Sequence, residues 1–272
     1  MAQEKWLVDG PKVIDIDGIR KLKVGLIGGQ VNVVGTEDDG VRVEVHSVSG
    51  RDLKISVDGD TLGIDHVQLS WDNFVDVFKG FVGNAFAGSA KVDISIQVPR
   101  DIALTFGVVS ASALISGLSS DASISTVSGD VVVDSMTGDL QLNAVSGELS
   151  VLGHEGSILA HTVSGDVTAA GAISSFASDT VTGDVFLDLA GAPDQVRVNS
   201  VSGGVTARLS AEVAARYTIN TVSGRIQLDE SEIRGARGGY TGKFGTLDKQ
   251  WLEFKANTVS GDVSVLHTTV PA

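Results

Sequence analysis

The chain has 272 residues, 42% of them hydrophobic, and a net charge of −14 at pH 7. That balance excludes a disordered chain and sets the protein against nucleic-acid phosphates, so no nucleic acid is expected as partner. Cysteine is absent, which excludes a disulfide framework and thiolate metal sites. The 33 Gly against 4 Pro, in a Val-, Ile- and Leu-rich chain, suit short strands joined by tight turns.

The opening residues, MAQEKWLVDG, contain no long apolar stretch of a secretory signal, and no run of 18 apolar residues follows anywhere. The expected location is therefore cytoplasmic, with no membrane span, and with peripheral membrane contact or association through a partner left open. Residues 1–65 read as strands without strict period. Lys12 to Asp17 alternates, as do Val41 to Val45 and Leu53 to Val57, and Gly29-Gln30-Val31-Asn32-Val33 is a weak copy of a later phrase.

Residues 66–90 break this texture. Trp71, Phe74, Val75, Phe78, Phe81 and Val82 fall at helical spacing, on one face. The spacing predicts a short helical, aromatic insertion that either lids the end of a β-structure or presents a docking face. Asp72, Asp76 and the single Lys79 argue against an anionic membrane as its target.

From residue 108 a phrase recurs. Val127-Ser128-Gly129-Asp130 is followed by Met136-Thr137-Gly138-Asp139 and Val145-Ser146-Gly147-Glu148, each nine residues on. Alternate copies are degenerate, so the strict period is 18: Val109, Val127, Val145, Val163 and Val181 are evenly spaced, and Val201, Val222 and Val259 follow at longer intervals. Strands of four to six residues separated by Gly corners cannot bury an apolar face alone, but stacked turns can. The expected fold is all-β: a single-stranded parallel β-helix, or β-solenoid, with about 18 residues per turn. In this frame Val131, Val133 and Met136 point inward, and the Val column is expected to form a ladder in the core. Gly at the corner permits a positive φ or a close backbone approach, and the Ser or Thr before it bonds local backbone.

Residues 229–257 form a second interruption, Gly-rich and locally basic, with Arg234, Arg237, Lys243, Tyr240 and Trp251. Asn257 to Val265 then returns to a last turn. The expected organisation is an irregular N-terminal region, 1–107, carrying the aromatic insertion 66–90, and a regular solenoid, 108–272, carrying the Gly-rich insertion 229–257.

Stacking at 18 puts Asp130, Glu148, Asp166 and Asp184 in one column, continued by Gly204, Arg225 and Asp262. A calcium edge needs more oxygen ligands than one acid and one Gly per unit supply, so no metal is expected. Thr126, Thr162, Thr180, Thr221 and Thr258 share another column, but Ala144 and Ser200 interrupt it, which does not suit an ice-binding lattice. The five His are scattered, and no G-x-S-x-G or phosphate loop occurs. Neither catalytic residues nor a cofactor are expected, and a small-molecule ligand is not indicated.

The phrases Thr-Val-Ser-Gly-Asp-Val at 126–131, 162–167 and 258–263, and Thr-Val-Thr-Gly-Asp-Val at 180–185, resemble the bacterial β-strand-repeat "putative adhesin" family of unknown function, also called toastrack-like. The resemblance covers roughly residues 20–60 and 92–268. It implies a parallel β-helix and an association with envelope-stress membrane proteins, and transfers no catalytic residue. The expected role is a non-enzymatic scaffold for a protein partner or for self-association, with an adhesin-like or carbohydrate-binding protein and a self-assembling solenoid as alternatives. Loops leaving a rigid scaffold carry function. The expected interaction residues are therefore Trp71, Phe74, Phe78 and Phe81 in the first insertion, and Arg234, Arg237, Tyr240, Lys243 and Trp251 in the second.

Overall fold

The computed structural model describes residues 4–66, 90–233, 239–247 and 250–268. Among them are 24 strands and no helix. The aromatic insertion expected to be helical, with Trp71, Phe74, Phe78 and Phe81, lies outside the described residues. The chain forms two compact units, Met1–Gly138 and Asp139–Ala272.

In the first unit, six strands form one ladder in the order β1 (Glu4–Val8), β6 (Leu53–Asp58), β7 (Thr61–His66), β3 (Lys21–Leu26), β9 (Ala103–Val108) and β11 (Ala122–Thr126). Six more form a second: β2 (Lys12–Ile16), β5 (Val41–Ser49), β8 (Lys91–Pro99), β4 (Gly29–Thr36), β10 (Ser112–Ser116) and β12 (Val131–Asp134). Pairing is parallel from β7 to β11 and from β8 to β12, as stacked turns require. It is antiparallel where β6 covers β7 and β5 covers β8. The irregular first residues thus close the end of the stack with antiparallel strands, which removes a long parallel edge from solvent.

The second unit continues from β13 (Thr137–Ala144), which crosses from the first unit into it. One ladder runs β14 (Leu149–Thr162), β15 (Val167–Thr180), β16 (Val185–Leu189), β18 (Val205–Ser210), β24 (Val263–Thr268), β20 (Ile226–Leu228) and β21 (Ser231–Ile233). The other runs through the second halves of β14 and β15 to β17 (Gln195–Ser200), β23 (Leu252–Thr258), β19 (Ala215–Thr221) and β22 (Tyr240–Phe244). Leu149, Val167 and Val185 stack at the expected interval of 18. The last turn in sequence, β23–β24, is not last in space. It is threaded between the turn of β17–β18 and that of β19–β20. The Gly-rich segment after β20 supplies β21 and β22, which pair antiparallel and finish the stack.

Alternation fills the narrow core with Val, Ile, Leu and Ala. Val131, Val133, Met136, Val167, Val185 and Leu187 are buried, as the repeat frame predicts, with Phe106, Phe176 and Phe254 as the largest fully buried side chains. Each such Val or Leu contributes roughly 1.5–3 kcal/mol of transfer free energy.

One part of the frame is inverted. The Val column does not point into the core: Val163, Val181, Val201 and Val259 are 44–49% exposed and Val222 is 72% exposed. The buried position is the one before it. Thr126, Thr162, Thr180, Ser200, Thr221 and Thr258 are each at most 6% exposed. Val108 and Ala144 keep the same buried parity without a hydroxyl; where the position carries one, it serves the backbone of the corner. Gly129 N donates to Thr126 Oγ1 at 2.9 Å, and that hydroxyl donates to Gly129 O at 2.8 Å. The same clamp joins Thr162 to Gly165 and Ser200 to Gly203. A Val side chain there would orphan two buried polar groups, a larger loss than exposing one Val.

At Gly129, Gly165, Gly183, Gly203, Gly224 and Gly261 the corner Gly serves a close approach and not a positive φ, whereas Gly138 in the alternate copy has a φ of 128°. A Cβ on Gly261 would lie 2.0 Å from Gly203 O, and one on Gly183 would lie 2.0 Å from Gly165 O. The Ser or Thr before each Gly bonds downward. Ser128 Oγ donates to Val109 O and Ser164 Oγ to Val145 O, both at 3.1 Å.

Candidate functional site

The repeat residues spend their polar groups on the fold. Asp184 N donates to Asp166 Oδ1 at 2.8 Å, Gly204 N to Asp184 Oδ1 at 2.7 Å and Arg225 N to Asp262 Oδ1 at 2.7 Å. Each of these acids therefore caps the next rung's backbone N–H. The spatial order is Gly204, Asp262, Arg225, not the sequence order, and the Arg225 guanidinium meets Asp262 at 2.7 Å. The Arg225 backbone N–H, then its side chain, holds the Asp262 carboxyl below the usual carboxylate range. Among the described residues no group of three or more His, Asp or Glu is placed to hold a metal ion.

Groups not consumed in this way collect on the outward face of β17, β23, β19 and β22 in the second unit. Register places Arg197 beside Lys255, and Arg216 beside Lys243. Arg197, Arg216 and Lys243 are exposed and have no carboxylate partner among the described residues. Lys255 pairs with Glu253 at 2.7 Å. The Arg216 guanidinium lies 4.4 Å from the centroid of the Trp251 ring, a cation–π contact.

Further along these strands, two residues past Arg197 and Lys255 and four past Arg216, runs an amide ladder. Asn199 Nδ2 donates to Asp179 Oδ1, Asn257 Nδ2 to Asn199 Oδ1 and Asn220 Nδ2 to Asn257 Oδ1, at 2.7–2.8 Å. Two residues beyond it, on the same outward parity, stand the exposed Val181, Val201, Val259 and Val222. The face therefore grades from cations through amides to an apolar row.

Of the expected interaction residues, Lys243 lies on this face, and Trp251 lies beside it under Arg216. Tyr240 is on the other side of β22: it pairs with Ile219, and its hydroxyl covers Gly242. Arg234 and Arg237 lie outside the described residues. Sequence reasoning missed Arg197, Arg216 and Lys255, which sit in ordinary-looking strands. Their signal was a basic residue at an outward position in an acidic chain.

A second cluster closes the end of the stack. Asp229 has a φ of 51° and accepts from His267 N at 2.6 Å. His267 Nδ1 lies 3.1 Å from both Asp229 oxygens, and its Nε2 lies 3.2 Å from the Tyr217 hydroxyl. Phe244 stacks on the imidazole at 3.7 Å. Burial, then the charge of Asp229, pushes the Tyr217 phenol well above its ordinary range, so it stays protonated. In the first unit, Asp15, Asp17, Asp38 and Arg42 line a shallow pocket of about 220 Å³, in which Asp15 is already bound by Arg42 at 2.7 Å.

Comparison with solved structures finds one of the same fold at low identity and a second, weaker likeness. A "putative lipid binding protein" from Parabacteroides distasonis is 14% identical, over 94% of this chain and 97% of that one, with a TM-score of 0.53. A "putative adhesin" from Bacteroides fragilis is 12% identical, over 94% and 97%, with a TM-score of 0.46. No curated protein matches the chain. The family model described as Toastrack DUF4097 matches residues 19–266, so this stack of clamped β-turns belongs to the Toastrack DUF4097 family.

Proposed function

We propose that the protein is a non-enzymatic interaction scaffold whose working surface is the outward face of β17, β23, β19 and β22. One observation carries this reading. The repeat's Thr, Gly and Asp groups bond one another, whereas Arg197, Arg216 and Lys243 stand on one face without carboxylate partners. Like charges directly opposite on neighbouring strands are destabilising unless something anionic covers them. The Asp229–His267–Tyr217 chain does not compete as a catalytic site. Its phenol is buried and protonated, and its imidazole is covered by Phe244.

The test is site-specific photo-crosslinking in the native cell. A photoreactive residue at Thr241, two residues from Lys243 on the same outward face, is expected to give adducts, and one at Gln227 on the other ladder is not. Equal labelling at both positions, or none at Thr241, overturns the assignment of the face.

A further inference from the structure

The cations on this face form a staggered line of two pairs on four consecutive rungs: Arg197 on β17 beside Lys255 on β23, and, two residues back along the strands, Arg216 on β19 beside Lys243 on β22, with Glu253 of β23 opposite Arg216. At about 4.8 Å per rung the four span about 14 Å across the strands. Only Lys255 has a carboxylate partner among the described residues, Glu253.

The second feature of the face is apolar. Val201, Val259 and Val222 are 48%, 49% and 72% exposed and continue the outward alternation of β17, β23 and β19. From Arg197 to Val201 is four residues, about 13 Å of extended chain. A flat partner therefore touches the cation line and the valine row together. Trp251, half-buried under Arg216, adds an amphipathic ring at the cationic end, a residue type that suits a membrane–water boundary. A soluble polyanion would use the cations and leave the valines idle, and a free phosphate would engage only one or two cations.

We infer that this face docks on the surface of an anionic lipid bilayer, with the cations on headgroup phosphates and the valines toward the acyl boundary. The inference rests on the reading of this face as the working surface. The net charge of −14 does not forbid it. At about 0.1 M salt the screening length is about 10 Å, so acids on other faces are largely hidden from the bilayer while the contact face is not.

The test is co-sedimentation of the full chain with vesicles at 0.1 M salt. Binding is expected to phosphatidylcholine vesicles containing phosphatidylglycerol, and not to phosphatidylcholine alone. Combining Arg197→Ala, Arg216→Ala and Lys243→Ala is expected to weaken it about a hundredfold, near fivefold per cation. Val201→Asn with Val259→Asn, which leaves the charge unchanged, is expected to weaken it as well. These residues are exposed, and circular dichroism checks that the variants fold. No binding to the anionic vesicles, or binding untouched by the triple variant, overturns the inference. Binding that a soluble polyuronate abolishes and the valine variant leaves intact also overturns it, in favour of a polyanion site. If vesicles are ignored while Thr241 crosslinks in cells, the lipid assignment fails and the face assignment stands.

Discussion

Arg225 and Asp262 are 37 residues apart and occupy adjacent rungs. Asp262 Oδ1 accepts from the Arg225 backbone N–H at 2.7 Å, and Asp262 Oδ2 meets the guanidinium at 2.7 Å. The two partners are unequal. Exposed guanidinium–carboxylate pairs contribute little, whereas the carboxylate also satisfies a backbone donor. Arg225→Ala is expected to move the melting temperature by about 1 °C or less, and Asp262→Ala to lower it by several degrees. Equal shifts in differential scanning calorimetry would show that the backbone cap is immaterial.

The corner glycines can be tested against one another. Gly261→Ala places a Cβ 2.0 Å from Gly203 O, so the two rungs must separate. A loss of about 3 kcal/mol or more is expected from urea unfolding, in the range of overpacked or strained sites. Gly10→Ala is the control, because nothing lies within 4 Å of its Cβ position and its φ is not positive. It is expected to stay within about 0.5 kcal/mol of the parent.

The Thr clamp predicts a non-isosteric outcome for an isosteric change. Thr126→Val keeps the volume but leaves Gly129 N and O without their partner. A cost of about 1–3 kcal/mol is expected. Thr126→Ser keeps the hydroxyl, as Ser200 does naturally at its own corner, and is expected to cost less. Chemical denaturation of the two variants ranks them, and Val at least as stable as Ser contradicts the clamp.

His66 makes the first unit acid-sensitive. It is fully buried in β7, and its Nδ1 accepts from Ile27 N at 3.2 Å. Burial, then the charge of Arg51, lowers its pKa from 6.5 to about 4. Below 6.5 the unfolded chain takes up the proton that the folded one refuses. The contribution is therefore complete above 6.5 and shrinks as pH falls toward 4, by about 3 kcal/mol. His66→Asn, whose side-chain carbonyl can still accept from Ile27 N, is expected to flatten that part of the stability-versus-pH curve. An unchanged slope between pH 6.5 and 4 removes His66 as its cause.

Much of this architecture was legible in the repeat. The period of 18 identified stacked turns, and the alternation of Val131, Val133 and Met136 identified the core side. The parity of the corner was not legible from hydrophobicity, because Val127 looks more like a core residue than Thr126. At this corner the Thr126 hydroxyl serves the backbone of Gly129, while Val108 and Ala144 keep the same parity without one. The spatial order of the last turns was also hidden, since every copy of the corner phrase can stack on every other. The face proposed for interaction was visible in the sequence only through Lys243 and Trp251, which stand in an interrupting segment, while Arg197, Arg216 and Lys255 became a group only once β23 lay between β17 and β19.

That threading governs how the second unit can be made. A solenoid normally grows by adding each new turn to the last one finished, so folding can follow synthesis along the chain. Here the turn of β19–β20 is synthesised before β23–β24, its only parallel neighbour among the described residues. It must wait, held if at all by β21 and β22, until β23 and β24 slot in beside it. Completion of the second unit is thus deferred until β24 has been made and depends on contacts between distant segments, a slow class of folding step.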